Sequence, residues 1–219
     1  MSTAPVHFLH VPKTGGCAIR AALEPFADSH GLVFHWHGMS LRKLPEGERA
    51  VFFVRHPVTR FVSGFNSRLR RGMPHHEGQH TPKEEIAFAR FQTPNMLAEA
   101  LASADTEARE SAEFAMDAIS HTRRRITDTV GDSDYIVRRR TDILFFGFQE
   151  TLAEDFERLK EVLGLSQSIT LPDDDVVAHR TPYGFETRLS REGRRAIKGW
   201  YRDDLTLYRH LQSLAAMSV

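Results

Sequence analysis

A lysine, a threonine and two glycines stand side by side near the start of the chain, in the segment Pro-Lys-Thr-Gly-Gly between an apolar run and a helical pattern. A strand, a glycine turn and a helix N-terminus together form an anion site, because unpaired N–H groups point outward and the helix dipole favours negative charge. Gly15 and Gly16 let the backbone approach a ligand closely. Lys13 adds a positive charge, and Thr14 adds a hydroxyl. The segment predicts either a loop that binds a phosphate-type ligand or a plain tight turn.

The spacing of this segment differs from that of the loop that binds nucleoside triphosphates. In that loop, G-x-x-x-x-G-K-[ST], the lysine follows the glycines, whereas Lys13 precedes Gly15 and Gly16 here. The sequence also has no apolar run ending in Asp that would supply a partner strand for magnesium. We therefore expect an anion other than magnesium-bound ATP, with a P-loop-like nucleotide kinase as the alternative.

A second group of residues suited to anions follows a later apolar run, in the segment RHPVTRFVS. Arg55 stands at the end of a predicted strand, where parallel sheets bind ligands, and its guanidinium offers a fork of donors to a phosphate. Pro57 fits the first turn of a helix, and Ser63 follows two turns later. The alternatives are a surface salt bridge for Arg55 and a solvated helix position for Ser63.

Strands and helices alternate around these two segments. Apolar runs predict four strands, and helical spacing of apolar residues follows the first, third and fourth of them. The predicted strands are residues 6–11, 31–36, 49–57 and 142–148. This order predicts an α/β fold with a mainly parallel central sheet flanked by helices. Gly164 is expected to end the helix after the last strand, and Ser190 to cap the C-terminal helix.

The composition narrows the class of protein. The 219 residues carry no net charge, which disfavours a nucleic-acid-binding protein, yet residues 1–80 hold ten Lys/Arg against five Asp/Glu. This uneven distribution indicates a local anion site. The single cysteine, Cys17, excludes an intramolecular disulfide and favours a reducing compartment. Since no segment has the length of a membrane span or the pattern of a signal peptide, we expect a cytoplasmic protein without stable membrane insertion.

Two further groups of polar residues allow more than one interpretation. His75, His76 and His80 suggest a metal site, but the polar segment around them has no cysteine, so a solvated loop and no metal is expected. Alternatively, that loop covers a bound substrate. The arginine triplets 123–125 and 138–140 are expected to be solvated faces, with an acidic-substrate groove as the alternative.

Taken together, the two anion segments resemble those of the sulfotransferases that use 3′-phosphoadenosine 5′-phosphosulfate (PAPS), whose motifs are PK-[ST]-G and, in the carbohydrate branch, R-[DH]-P-x-x-R-x-x-S. The segments FHWHGMSL (34–41) and LFFGFQETLAEDFERLKEVLG (144–164) are similar to further motifs of the heparan sulfate 2-O-sulfotransferase-like group. The resemblance implies a P-loop-type three-layer fold and one sulfotransferase domain over residues 1–219. Within it we expect a mobile loop at 70–82 and a helical insertion at about 83–130.

The resemblance also implies a role for each matching residue. Lys13 would contact the bridging oxygen between the sulfonate and the 5′-phosphate and stabilise the leaving group. Arg55 and Ser63 would bind the 3′-phosphate, and Arg180 lies where relatives place a loop that closes on the nucleotide. The chain carries His56 where many relatives carry Asp. The 5′-phosphate would be held by the backbone of Thr14, Gly15, Gly16, Cys17, Ala18 and Ile19, together with the Thr14 hydroxyl.

The acceptor's proton must leave as its oxygen bonds to sulfur, and histidine is the usual general base near neutral pH. His37 matches the second histidine of the family's His-x-His segment and is the expected base. His35, two residues earlier on the same predicted strand face, would orient or assist it. The resemblance implies PAPS as donor and its bisphosphate PAP as product, without a metal. The expected acceptor is a hydroxyl on a sugar or glycoconjugate, and a non-catalytic nucleotide-binding module is a further alternative.

Overall fold

The computed structural model describes residues 4–74, 77–174, 176 and 184–217. The chain divides into two compact units. The first unit comprises Met1–Arg55, Ile126–Arg180 and Thr206–Val219, and the second comprises His56–Arg125 and Thr181–Leu205. The sequence prediction of one domain over 1–219 stays a prediction, and each unit is described by itself.

The first unit contains a four-stranded sheet in the order β2-β1-β3-β4, with every neighbouring pair parallel. Its strands are β1 (Val6–Leu9), β2 (Leu32–Phe34), β3 (Arg49–Val54) and β4 (Ile143–Phe148). All four are shorter at one or both ends than the apolar runs that predict them, because the runs continue into turns. Residues 50–54 of β3 are all buried, as expected for a central strand covered on both faces. The predicted α/β fold is confirmed.

Helices cover both faces of this sheet. The helices of the first unit are α1 (Gly16–Leu23), α2 (Ala27–His30), α8 (Ile126–Val130), α9 (Ser133–Arg138) and α10 (Leu152–Leu163), and α12 (Arg202–Met217) runs into it. Alternate residues of β3 enter two separate cores: Phe52 packs with α8, α9 and α12, and Phe53 packs with α1 and α10. This alternation follows from the period of two along a strand. Gly164 ends α10 with a φ of 66°, as predicted.

The second unit contains helices, and their apolar faces share one core. They are α3 (Pro57–Leu69), α4 (Pro82–Arg90), α5 (Pro94–Leu101), α6 (Thr106–Ala118), α7 (Ser120–Arg123) and α11 (Arg191–Trp200). Ser190 caps α11 by accepting a hydrogen bond of 3.1 Å from the Gly193 N–H, as predicted. Two long helical patterns in the sequence are interrupted, at Ile119 and at Tyr201, where the backbone leaves the helical region.

The prediction that residues 138–140 form a solvated face is wrong for Arg139. Only 4% of Arg139 is exposed, and its guanidinium lies 2.5 Å from the Asp142 carboxylate. The remaining guanidinium N–H groups donate to the Tyr135 hydroxyl and to the carbonyl oxygens of Leu41, Leu44 and Pro45. Arg139 thus ties α9 to the turn before β3, a role that depends on partners far away in the sequence. Within the described ranges, no helix combines the length and apolarity needed to cross a bilayer.

Candidate active site

The β1–α1 loop, residues 10–15, has a strained backbone held by its own side chains. Lys13 has a φ of 69°, in the left-handed region that non-glycine residues seldom adopt, and Gly15 has a φ of 88°. The hydroxyl of Thr14, which is buried, donates a hydrogen bond of 2.9 Å to the Val11 carbonyl. Because a hydroxyl has one proton to donate, the Thr14 hydroxyl supports the turn in this structure.

Helix α1 begins without a side-chain cap. Gly15 occupies the capping position and supplies no side-chain hydrogen bond, and the first turn contains no acidic residue. The first intrahelical bond runs from the Ile19 N–H to the Gly15 carbonyl, at 3.2 Å. The N–H groups of Gly16, Cys17 and Ala18 precede it and have no acceptor within the helix. They belong to the segment that the sequence predicts to hold an anion, and that assignment stays a prediction.

Gly15 in this loop and Gly16 at the start of α1 are also closely packed. A Cβ atom on Gly15 would lie 2.9 Å from a methyl of Leu152, the first residue of α10. A Cβ atom on Gly16 would lie 3.2 Å from the His10 ring, and His10 itself is only 4% exposed. The loop therefore rests on an aliphatic side chain and an imidazole, neither of which was predicted from the sequence. The only sequence signal was a histidine at each end of HFLH.

Arg55 follows β3 directly, so it reaches the same edge of the sheet as the β1–α1 loop. Its Nη1 atom donates to the Lys13 carbonyl at 3.4 Å. The structure thus brings together two residues that are 42 positions apart in the sequence. Ser63, which the sequence predicts as the partner of Arg55 in binding an anion, belongs to the second unit and lies half-buried on α3.

His56 caps the helix that carries Ser63. Its Nδ1 accepts a hydrogen bond of 3.3 Å from the Val58 N–H, and Pro57 occupies the first helical position. An aspartate carboxylate at this position would accept the same bond, since Asp is among the preferred capping residues. The departure from the family's Asp therefore preserves the local helix start.

His37 lies half-buried beside the start of the β1–α1 loop. Its Nδ1 is 3.5 Å from the His10 carbonyl oxygen, and the rings of His37 and His10 meet edge to face with centroids 4.5 Å apart. Trp36 completes this group, with its ring centroid 5.8 Å from that of His10. His37 is therefore joined to the loop through His10, which also packs under Gly16.

His35 has different neighbours. Its Nε2 is 2.8 Å from Nδ1 of His7, and Nε2 of His7 is 3.1 Å from the Glu48 carboxylate. Burial lowers the pKa of His35, the nearby His7 lowers it further, and Glu48 opposes the change. The prediction that His35 and His37 share a strand face is wrong, because β2 ends at Phe34 before either of them. His7 and Glu48 were not predicted from the sequence.

The other predicted residues are placed as follows. Burial raises the pKa of the Cys17 thiol despite nearby Lys13 and Arg20, which fits a packing residue. Arg180 lies outside the described residues, as do His75 and His76. His80 is described: its Nε2 is 2.7 Å from the Arg68 carbonyl oxygen, and its ring packs on Phe88 at 4.7 Å.

Comparison with known proteins gives one result that covers nearly the whole chain. No curated protein and no solved structure matches the chain. A family model described as "Sulfotransferase family" matches residues 3–210, a range that includes β1 to β4, the β1–α1 loop and Arg55. The parallel sheet flanked by helices agrees with that match. The chain belongs to the sulfotransferase family.

Proposed function

We propose that this protein transfers a sulfuryl group from PAPS to a hydroxyl of a sugar or glycoconjugate. The observation that carries the proposal is the meeting of Arg55 with Lys13 at the uncapped start of α1. Two cations and three N–H groups at one loop suit a ligand with more than one phosphate-type group. The assignments of PAPS, of the sugar acceptor and of a cytoplasmic location are proposals that go beyond membership of the family.

In the proposed reaction the acceptor oxygen forms a bond to sulfur while the bond from sulfur to the bridging oxygen breaks. The bonding electron pair leaves on the 5′-phosphate of PAP. Lys13 and the N–H groups of Gly16 to Ala18 neutralise the charge that grows there. Preorganised donors of this kind contribute roughly 3 to 4 kcal/mol each to the transition state. Because a sulfuryl group carries less charge than a γ-phosphoryl group, we propose that bridging magnesium is not needed.

We propose His37 as the group that takes the acceptor's proton. If its Nδ1–H faces the His10 carbonyl, the neutral ring carries its lone pair on Nε2, the atom that then acts as base. His35 would assist from its hydrogen bond with His7. Arg55 and Ser63 are proposed to bind the 3′-phosphate, and Arg180 to add a phosphate contact.

Calorimetry tests the donor site. We expect wild-type protein to bind PAP, the 3′,5′-bisphosphate of adenosine, without magnesium. Arg55→Ala should lose at least tenfold in affinity for PAP, because a charged hydrogen-bond donor is removed. Arg49→Ala is the matched control, since Arg49 lies at the opposite end of the same strand and should leave affinity unchanged. Preference for ATP with magnesium over the bisphosphate would contradict the proposal and favour the kinase alternative.

A transfer assay tests catalysis separately from binding. With labelled PAPS and a panel of sugar acceptors, wild-type protein should transfer label, and His37→Ala should lower kcat by roughly 10²- to 10⁴-fold while it still binds bisphosphate. Binding of bisphosphate with no transfer by either protein would instead identify a non-catalytic binding module.

A further inference from the structure

Trp36 is an exposed aromatic residue next to His37, the proposed base. Trp36 lies between His35 and His37 in the sequence, and 59% of the residue is exposed. Tryptophan is buried to a large extent on average, because its ring has so much apolar surface. An indole left in solvent next to a proposed base is therefore available to contact a ligand.

The exposed ring is held in place from behind. The Arg20 guanidinium lies over the Trp36 ring, 4.2 Å from its centroid. Arg20 is itself held by Glu24 through bonds of 3.1 and 2.6 Å from Nε and Nη2. Arg20 lies over one face of the ring, and the His10 ring lies 5.8 Å from its centroid at an angle of 32°. Ordering the indole in advance lowers the entropy cost of binding a ligand on the surface that stays exposed.

The position of the ring fits an acceptor more than a donor. Trp36 follows β2, whereas the donor-site residues Lys13 and Arg55 follow β1 and β3. Its ring centroid is 6.4 Å from that of His37, with the two planes at 74°. The two rings are thus neighbours, and a flat molecule stacked on the indole would lie near the imidazole. That is the arrangement which a base needs to reach a hydroxyl on the stacked molecule.

The chemistry of the surface selects among acceptors. The face of an indole is electron-rich, so it attracts the slightly positive C–H groups on the flat side of a pyranose ring. The hydroxyls of that sugar project from the ring edge, toward His37 in the stacked arrangement. We infer that Trp36 is the stacking platform for a pyranose acceptor and fixes which hydroxyl meets the base. This inference rests on the proposed function and extends it from the donor to the acceptor.

Steady-state kinetics with Trp36 variants test the inference. With a saturating donor and an N-acetylglucosamine- or uronate-containing disaccharide, Trp36→Ala should raise the acceptor KM by roughly 10- to 100-fold, because the stacked aromatic surface is lost. Trp36→Phe should recover most of this loss. Val33→Ala changes an exposed residue of β2, the edge strand that Trp36 follows; it is the control and should keep the wild-type KM. Bisphosphate affinity should be the same in all four proteins.

Tryptophan fluorescence gives a readout that does not require catalysis. The chain has two tryptophans, Trp36 and Trp200. Titration with the disaccharide should change the emission of wild-type protein and of Trp200→Phe, and leave that of Trp36→Phe unchanged. An unaltered KM in Trp36→Ala, or a fluorescence response that persists in Trp36→Phe, overturns the inference while intact bisphosphate binding leaves the proposed function standing. A phenol accepted in place of every sugar overturns the pyranose assignment.

Discussion

Helices α1 and α4 are similar in length, but their N-termini are capped in opposite ways. In α4 the Thr81 hydroxyl accepts a bond of 3.2 Å from the Glu84 N–H, and the Glu84 carboxylate accepts one of 3.0 Å from the Thr81 N–H. This capping box satisfies the helix start from within the chain. In α1 the capping residue is Gly15, no side chain accepts a bond, and the preceding Lys13 has a left-handed backbone.

We propose that this difference reflects two roles, a helix start that serves stability in α4 and one that serves a ligand in α1. Side chains also cap α3, α5, α6, α9 and α11. Helix α10 lacks a side-chain cap, but two acidic residues lie in its first turn, and there the Asp155 carboxylate accepts from the Phe148 N–H at 2.6 Å. Helix α1 has neither device. The four-residue α7 also lacks both, but its Ser120 N–H donates to the Glu84 carboxylate, whereas α1 follows the left-handed Lys13, a strain that costs stability. Such a cost is expected where an anion completes the site.

Among changes at the two helix starts, the largest expected effect is on transfer and comes from Lys13→Asn. Asparagine tolerates the left-handed region well, so this change removes the ammonium group and keeps the loop backbone. We expect kcat to fall by roughly 10²- to 10³-fold, while the free energy of unfolding stays within about 1 kcal/mol of wild type. Kinetics and urea unfolding measure the two quantities. A large loss of stability with little loss of kcat would show that Lys13, like the cap of α4, serves stability and not the ligand.

The largest expected effect on stability comes from Glu84→Gln. Burial acts to raise the pKa of Glu84, but hydrogen bonds from Arg68, Thr81 and Ser120 outweigh it and lower that pKa to about 2. Since Glu84 is only 1% exposed, the charged form stabilises the fold by roughly 3 kcal/mol at neutral pH. Sulfuryl transfer by the fraction of Glu84→Gln protein that stays folded should equal that of wild type.

The sign of the pH dependence follows from the lowered pKa of Glu84. Its contribution is complete above the ordinary pKa of about 4.5 and is lost as the pH falls from there toward about 2. Unfolding measured between pH 7 and pH 2.5 should therefore show a steeper acid loss in wild type than in Glu84→Gln. Parallel curves for the two proteins would show that the capping carboxylate does not carry this stability.

An intermediate effect is expected for Gly15→Ala, with Gly47→Ala as the matched control. Both glycines have left-handed backbones, with φ of 88° and 89°, but among described residues a Cβ on Gly47 meets no atom within 4 Å. Each substitution should cost about 1 kcal/mol from backbone strain, and Gly15→Ala about 1 kcal/mol more from its contact with Leu152. Bisphosphate affinity should fall for Gly15→Ala alone. Equal bisphosphate affinities in Gly15→Ala and Gly47→Ala would show that the β1–α1 loop is not part of the donor site.

The smallest expected effect is that of Thr81→Ala. Loss of one capping hydroxyl typically costs about 1 kcal/mol. Thermal and urea unfolding should detect this loss, and calorimetry should find the bisphosphate affinity of wild type. Thr81→Ser, which keeps the hydroxyl, should restore stability, and failure to do so would point to the methyl group as the source of the effect.

The sequence by itself determined the fold class, the turn after β1 and several helix ends. Apolar runs predict the four strands, because a strand covered on both faces has no polar side, and Gly164 and Ser190 act locally. These features depend on residues near one another in the chain. Lys13 and Arg55 were predicted as one site from two short motifs, and the 3.4 Å contact between them supports that grouping.

Only the tertiary structure decided which side chains surround those motifs. His10 under Gly16, Leu152 against Gly15, and His7 between His35 and Glu48 all depend on contacts between distant segments. Likewise, a run of arginines looks solvated in the sequence, yet Arg139 is buried because carbonyl groups of a distant turn face it. Local patterns report backbone geometry and hydrophobic periodicity, whereas the partner of a polar side chain is set by which segments the fold brings together.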